Sequence, residues 1–134
     1  MKNIDVQPSI RLVKVLFPKF SITSSDFMND NLTEEIDMNI EYGIVFSESK
    51  INTFMVEFKA QLDNKEGNFK AHITMIALFE ANNDIDNDFK NSNFVKLNAP
   101  AIAFPFLRSF ITTISVNAGF KPIIIPSLNL TKHK

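Results

Sequence analysis

Three carboxylates at alternate positions, Asp84, Asp86 and Asp88, begin as an EF-hand calcium loop begins, with oxygen ligands at the first, third and fifth places. The match ends there. The sixth place needs Gly for a sharp turn and holds Phe89, and the twelfth needs a bidentate Glu and holds Val95. The run reads as a solvated acidic loop. Histidine ligation needs converging side chains, yet His72 falls on the polar side of an alternating segment and His133 in the terminal "TKHK". No metal site is expected. Glu41 and Glu57 are candidates for paired acid–base work as cross-strand neighbours, although an exposed sheet face is the commoner setting for such a pair. No serine stands in a G-x-S-x-G elbow, and Gly43, Gly67 and Gly119 are isolated, which leaves no phosphate-cradling loop. The chain is expected to be neither an enzyme nor a cofactor carrier.

Composition narrows the remaining classes. At 134 residues, with 45% hydrophobic and 22% charged residues, a single packed domain spanning 1–134 is expected. A formal net charge of -1 supplies no basic excess to displace counterions from a phosphate backbone, so nucleic acid is not an expected partner. Zero Cys removes disulfides, thiolate nucleophiles and Cys-ligated metals, which fits a reducing compartment. The start "MKNIDVQPSI" lacks the apolar run of a signal peptide, and no segment approaches the ~20 apolar residues of a membrane span. A cytoplasmic location without membrane insertion is expected.

Period-two alternation runs from Ile36 to Phe46, from Phe54 to Leu62 and from Phe69 to Glu80, each predicting a strand with one buried face. "SESKIN" and "DNKEGN" join them as short polar links, giving an antiparallel meander. Ile10 to Ile22 is a further extended candidate, in which Pro18 marks an edge, a bulge or a break. A long connection, 23–34, leads from it to the meander and carries Phe27, Met28 and Leu32. From Phe104 to Ala118 the apolar residues Phe106, Leu107, Phe110, Ile111, Ile114 and Ala118 recur at spacings of three and four, with Arg108, Thr112 and Ser115 on the other side. This predicts an amphipathic helix with Pro105 in its first turn and Gly119 at its C-terminal cap. The expected class is α+β: a four-stranded antiparallel sheet with a long crossover loop after the first strand, packed by a C-terminal helix.

One helix covers roughly 10 Å of a sheet whose four strands span about 15–20 Å, so apolar surface is left over. Ile76 and Leu78, apolar on the otherwise polar face of their strand, are candidates for it, as are Phe27, Met28 and the triple Ile at 123–125. That triple either closes the core or joins the exposed surface. Exposed apolar area on this scale implies association with self or with a partner.

The run "APAIAFPFLRSFITTISVNAGFKPIIIPSLNL" resembles the SecB family of bacterial protein-export chaperones. Pro100, Ile102, Phe104, Pro105, Phe106 and Arg108 match that family's Pro-x-Ile-x-Phe-Pro-aromatic-x-Arg helix start, and Gly119, Pro122, Pro126 and Asn129 match its sequel. The resemblance implies an ATP-independent holdase without cofactors, assembled as a homotetramer, a dimer of dimers with the helices central. Phe106, Phe110 and Ile114 are the expected oligomer contacts. Phe27, Met28, Leu32, Ile76, Leu78, Ile123 and Ile125 are the expected contacts with unfolded polypeptide clients. Acidic positions on the family's sheet engage the translocation motor SecA, with Asp37, Glu41 and Glu57 as counterparts here. Relatives continue past the final motif into another helix, whereas this sequence ends four residues after Leu130, which puts the motor contact in question. SecB-like proteins also serve single partners such as antitoxins, and that is the alternative role.

Overall fold

The computed structural model describes residues 7–127. Four strands follow one another, β1 (Ile10–Ser24), β2 (Ile36–Phe46), β3 (Thr53–Asn64) and β4 (Phe69–Ala81). A short helix α1 (Asn87–Lys90), a π-helical turn (Phe94–Asn98) and a long helix α2 (Ala99–Asn117) complete the elements. The strands form one antiparallel sheet in the order β1-β4-β3-β2, so the meander holds and the first strand crosses over to lie beside the last.

The alternation seen in the sequence becomes the two faces of this sheet. Phe54, Val56, Phe58, Ala60 and Leu62 of β3 and Phe69, Ala71, Ile73, Met75, Ala77 and Phe79 of β4 are buried under α2. Phe54 stacks on Phe79 with centroids 5.3 Å apart, and Phe58 meets Phe104 of the helix at 6.0 Å. At Gly67 the β3–β4 turn takes a positive φ of 78°, as the DNKEGN link required. β1 shifts register between Leu12 and Lys14 and again between Leu16 and Lys19. The second irregularity contains Pro18, which donates nothing to the ladder and is tolerated because β1 is an edge strand.

Two helix expectations need correction. α2 begins at Ala99, not Phe104, and the π-helical turn leads directly into it. Pro100 therefore occupies the first turn, where a missing N–H costs nothing, and Pro105 lies inside the helix on its exposed side. The continuous 24 residues of Phe94–Asn117 are long and apolar enough, by length and composition alone, to cross a bilayer, contrary to the sequence expectation. Ala103, Leu107 and Ile111 are buried in the core, as in a core helix.

Gly119 does end the helix, with φ 97°. Phe120 N–H donates to the Ser115 carbonyl at 2.9 Å and Gly119 N–H to the Val116 carbonyl at 3.0 Å, the paired bonds of a Schellman cap. The cap turns Phe120 back onto Phe69, edge to face at 5.1 Å. Because an L side chain is strained in this left-handed conformation, Gly119→Ala is expected to destabilise the fold by about 1–2 kcal/mol, measured by urea denaturation. An unchanged midpoint would show that the cap does not hold this end.

Candidate functional site

The acidic run contributes a helix cap. Asp86 caps α1, its Oδ1 accepting the Phe89 N–H at 2.9 Å. Among the described residues no group of three His, Asp or Glu is placed to hold a metal ion. Glu41 sits opposite Lys59 and Glu57 opposite Gly43, so the two carboxylates are diagonal rather than facing. His72 lies on the outer sheet face, the side away from α2, between Ser21 and Gln61. Asn129, Leu130 and His133 lie outside the described residues.

The crossover loop, 25–35, is where apolar side chains meet solvent. Both of its ends are fastened. Ser25 N–H donates to the Asn68 carbonyl at 3.0 Å, and at the far end the Thr33 hydroxyl donates to the Lys121 carbonyl at 3.0 Å. Lys121 Nζ reaches back to Asn31 Oδ1 at 3.1 Å and Glu34 Oε1 at 3.5 Å. Leu32 is plugged into the core between these ties. With the ends and the plug held, the tip is left in solvent, Phe27 87% and Met28 90% exposed. Beneath the tip is a groove of about 510 Å³, walled by Ile22, Phe27, Leu32 and Phe120 with Asp26 and Asp30 at its rim. A second groove, of about 430 Å³, shares Thr33 and Lys121 with the first and runs along Ile36 and Met38 of β2 to Ile123 and Ile124. Together they trace a path from the loop to the inner side of β2, whose alternate residues Ile36 to Phe46 stay half-buried.

The far wall is the segment 121–125, which has no strand partner among the described residues and is clipped to α2 by side chains. Arg108 Nε donates to the Ile125 carbonyl at 2.8 Å and the Thr112 hydroxyl to the Ile123 carbonyl at 2.7 Å. The Ser115 hydroxyl accepts the Ile123 N–H at 3.1 Å while donating to the Thr112 carbonyl at 2.8 Å. The polar stripe that the sequence placed on the side away from the core is thus a docking strip, and Ser115 is fully buried.

The expected client contacts therefore divide. Phe27 and Met28 are exposed, but Leu32 is a core residue, and of the two readings of the triple Ile the core-closing one holds at Ile123 and Ile125, so these three expected client contacts are buried by the plug and the clip. Ile124, between the two buried residues, is 67% exposed and is the groove residue that the expected set omitted. Alternation within the triple Ile was its signal. Ile76 and Leu78 lie on the outer face, opposite Leu16 and Met55, and do not join the grooves. On α2, Phe106 is half-exposed, while Phe110 stacks on Phe17 of β1 at 3.8 Å and meets Phe20 at 5.2 Å. Ile114 is partly buried. Asp37, Glu41 and Glu57 share the outer face.

A family model described as preprotein translocase subunit SecB matches residues 7–132. The chain belongs to the SecB family. SecB membership supports a chaperone and corresponds to no enzyme class. A SecB-like chaperone of Mycobacterium tuberculosis, solved with a ChAD peptide from an antitoxin, superposes with a TM-score of 0.69 over 90% of each chain at 14% identity. That likeness shows the SecB-like fold. A protein of unknown function from Streptococcus agalactiae superposes with a TM-score of 0.54 at 8% identity, over 92% of this chain and 100% of that one. An uncharacterised protein of Methanocaldococcus jannaschii is 24% identical over 123 residues, 85% of this chain and 78% of that protein.

The clip makes a local prediction. Ser115→Ala leaves the buried Ile123 N–H without its acceptor, a loss worth about 1–3 kcal/mol. Amide exchange at Ile123 is expected to accelerate on that scale, and unchanged exchange would remove Ser115 from the clip.

Proposed function

We propose that this SecB-family chain is an ATP-independent holdase that receives unfolded polypeptide in the path running from the crossover loop to β2. The observation that carries the reading is the loop tip: two large apolar side chains held in solvent by a loop whose ends are both tied down. A client side chain covered there contributes on the order of 1.5–3 kcal/mol when fully buried, and repeated weak contacts along the path add through effective concentration. In this reading the protein works in the cytoplasm as a homotetramer, with Phe106, Phe110 and Ile114 beside β1 as contacts between protomers. An export role adds delivery to SecA through the acidic side of the outer sheet, where Asp37, Glu41 and Glu57 lie.

The M. tuberculosis neighbour, solved with an antitoxin peptide, favours a second reading in which the same path serves one dedicated partner. The two differ in breadth. A general holdase suppresses aggregation of several unrelated unfolded proteins without nucleotide, whereas a dedicated chaperone protects one.

Phe27→Ser combined with Met28→Ser is expected to weaken client capture several-fold while changing stability by no more than about 0.5 kcal/mol, since both side chains are exposed. Binding of a fluorescent unfolded client, with urea denaturation alongside, checks this. Undiminished capture by the double variant would move the client site elsewhere.

A further inference from the structure

The end of the sheet opposite the crossover loop holds a groove that the client path does not use. It measures about 330 Å³ and lies where β4 ends at Ala81 and the chain approaches β1 at Pro8. β4 is 13 residues long, so roughly 40 Å separates this groove from the loop end of the sheet at Phe69. Pro8, Ala81, Phe89 and Phe94 give it an apolar side, and the rings of Phe89 and Phe94 lie nearly parallel with centroids 5.9 Å apart.

Both walls are held by bonds within the chain. Asn82 N–H donates to the Ser9 carbonyl at 3.1 Å and Asn82 Nδ2 to the Gln7 carbonyl at 2.8 Å, while its Oδ1 accepts the Ser9 N–H at 3.1 Å. Pro8 is fixed between these ties. Across the groove the Ser92 hydroxyl donates to the Phe89 carbonyl at 2.6 Å, and Val95, next to Phe94, is buried in the core. A wall ordered in advance costs an occupant little.

The other side of the groove is charged. Asp84, Asp86 and Asp88 line it, and Asp86 is occupied in capping α1. Among the described residues Asp84 and Asp88 form no ion pair, since Arg11 is taken by Glu80 and Lys90 lies over the ring of Phe46 at 5.1 Å. An anionic occupant is repelled, and a purely apolar one covers carboxylates without pairing them. A ring or aliphatic side chain next to a cation satisfies both sides. The volume is at the small end of ligand pockets, room for one or two side chains of an extended segment and not for a folded domain.

We infer that this groove is a second polypeptide-docking site, taking a segment that lays an aromatic or aliphatic side chain on Phe89 and Phe94 and a Lys or Arg against Asp84 and Asp88. The holdase reading supplies only the source of that segment, an unfolded client. A client engaged here and at the crossover loop is held at two points roughly 40 Å apart, a span of about 12 extended residues, and its second attachment is intramolecular.

The probe is the acetylated, amidated peptide Gly-Lys-Phe-Lys-Gly, followed by amide NMR shifts on the full chain. Saturable shifts are expected at Ala81, Phe89 and Phe94 and are expected to weaken with salt. Asp84→Asn combined with Asp88→Asn, which leaves the Asp86 cap intact, is expected to lower affinity about three- to tenfold. Replacing the peptide's Phe by Ser is expected to weaken binding to a similar degree, and Phe27→Ser with Met28→Ser is expected to leave it unchanged. The groove is overturned by the absence of saturable shifts up to about 5 mM peptide, by unchanged affinity in the Asn variant, or by shifts that vanish in the loop-tip variant. Shifts that appear only after removal of residues 1–6 would assign the groove to the chain's own start and overturn it as a partner site. Intact peptide shifts in a protein that suppresses no aggregation would support the groove and refute the holdase reading alone.

Discussion

The structure depends on one mismatch of width. A single helix covers about 10 Å, and the sheet it must seal is about 15–20 Å across. α2 lies over β1, β3 and β4, where Phe54, Phe58, Phe69 and Phe79 are fully buried, and the deficit is carried to β2, whose inner row remains half-buried. Other pieces reduce the deficit without removing it. Leu32 plugs the end near the crossover loop, and Ile123 and Ile125 roof part of the space beside β2. What stays open is a groove in which apolar residues alternate with polar ones, so the groove is a consequence of the layer arithmetic as much as a separate feature.

The clipped segment shows how such a roof can be held. A helix has already spent its interior backbone groups on itself, so an extended strand lying along it must find partners among side chains. Arg108 and Thr112 are four residues apart, a rise of about 6 Å along a helix. The carbonyls they hold, at Ile125 and Ile123, are two residues apart in an extended chain, about 6.6 Å. The two repeats are nearly commensurate, which lets one polar stripe read alternate carbonyls while the intervening Ile124 points to solvent.

Much of this architecture was legible because it rests on local rules. Alternation told which residues of β3 and β4 face the core, Pro18 marked an edge, a bulge or a break and β1 has the first two, and Gly119 marked the left-handed cap. Less was legible where partners are distant in sequence. Thr112 and Ser115 have the composition of a solvent-facing stripe, and only the return of the chain at 121–125 makes them core acceptors and donors. Leu32 sits in a polar loop, and its burial depends on ties to Lys121, 88 residues on from Thr33. The helix start was displaced because Pro105 resembles a first-turn proline, while Pro100 fills that place and the exposed side of α2 accommodates the second ring. Ile76 and Leu78 were recognised as surplus, but the face they share with Leu16 and Met55 is set by register, which no single strand contains.

The apolar residues left over from the core lie on two surfaces with different surroundings. Along the path from the crossover loop to β2, apolar side chains alternate with polar ones beside an edge strand, and burial of apolar area is non-directional. On the outer face Leu16, Ile76, Leu78, Met55 and Val45 share their rows with Lys14 and Glu57, and such charges penalise any contact that does not present their complement. Tolerance and selectivity in this fold come from what surrounds the apolar residues. Phe27 stands 87% exposed on a loop tip above mixed polar and apolar neighbours, whereas Leu16 stands in a paired strand one row from Lys19 and Glu41.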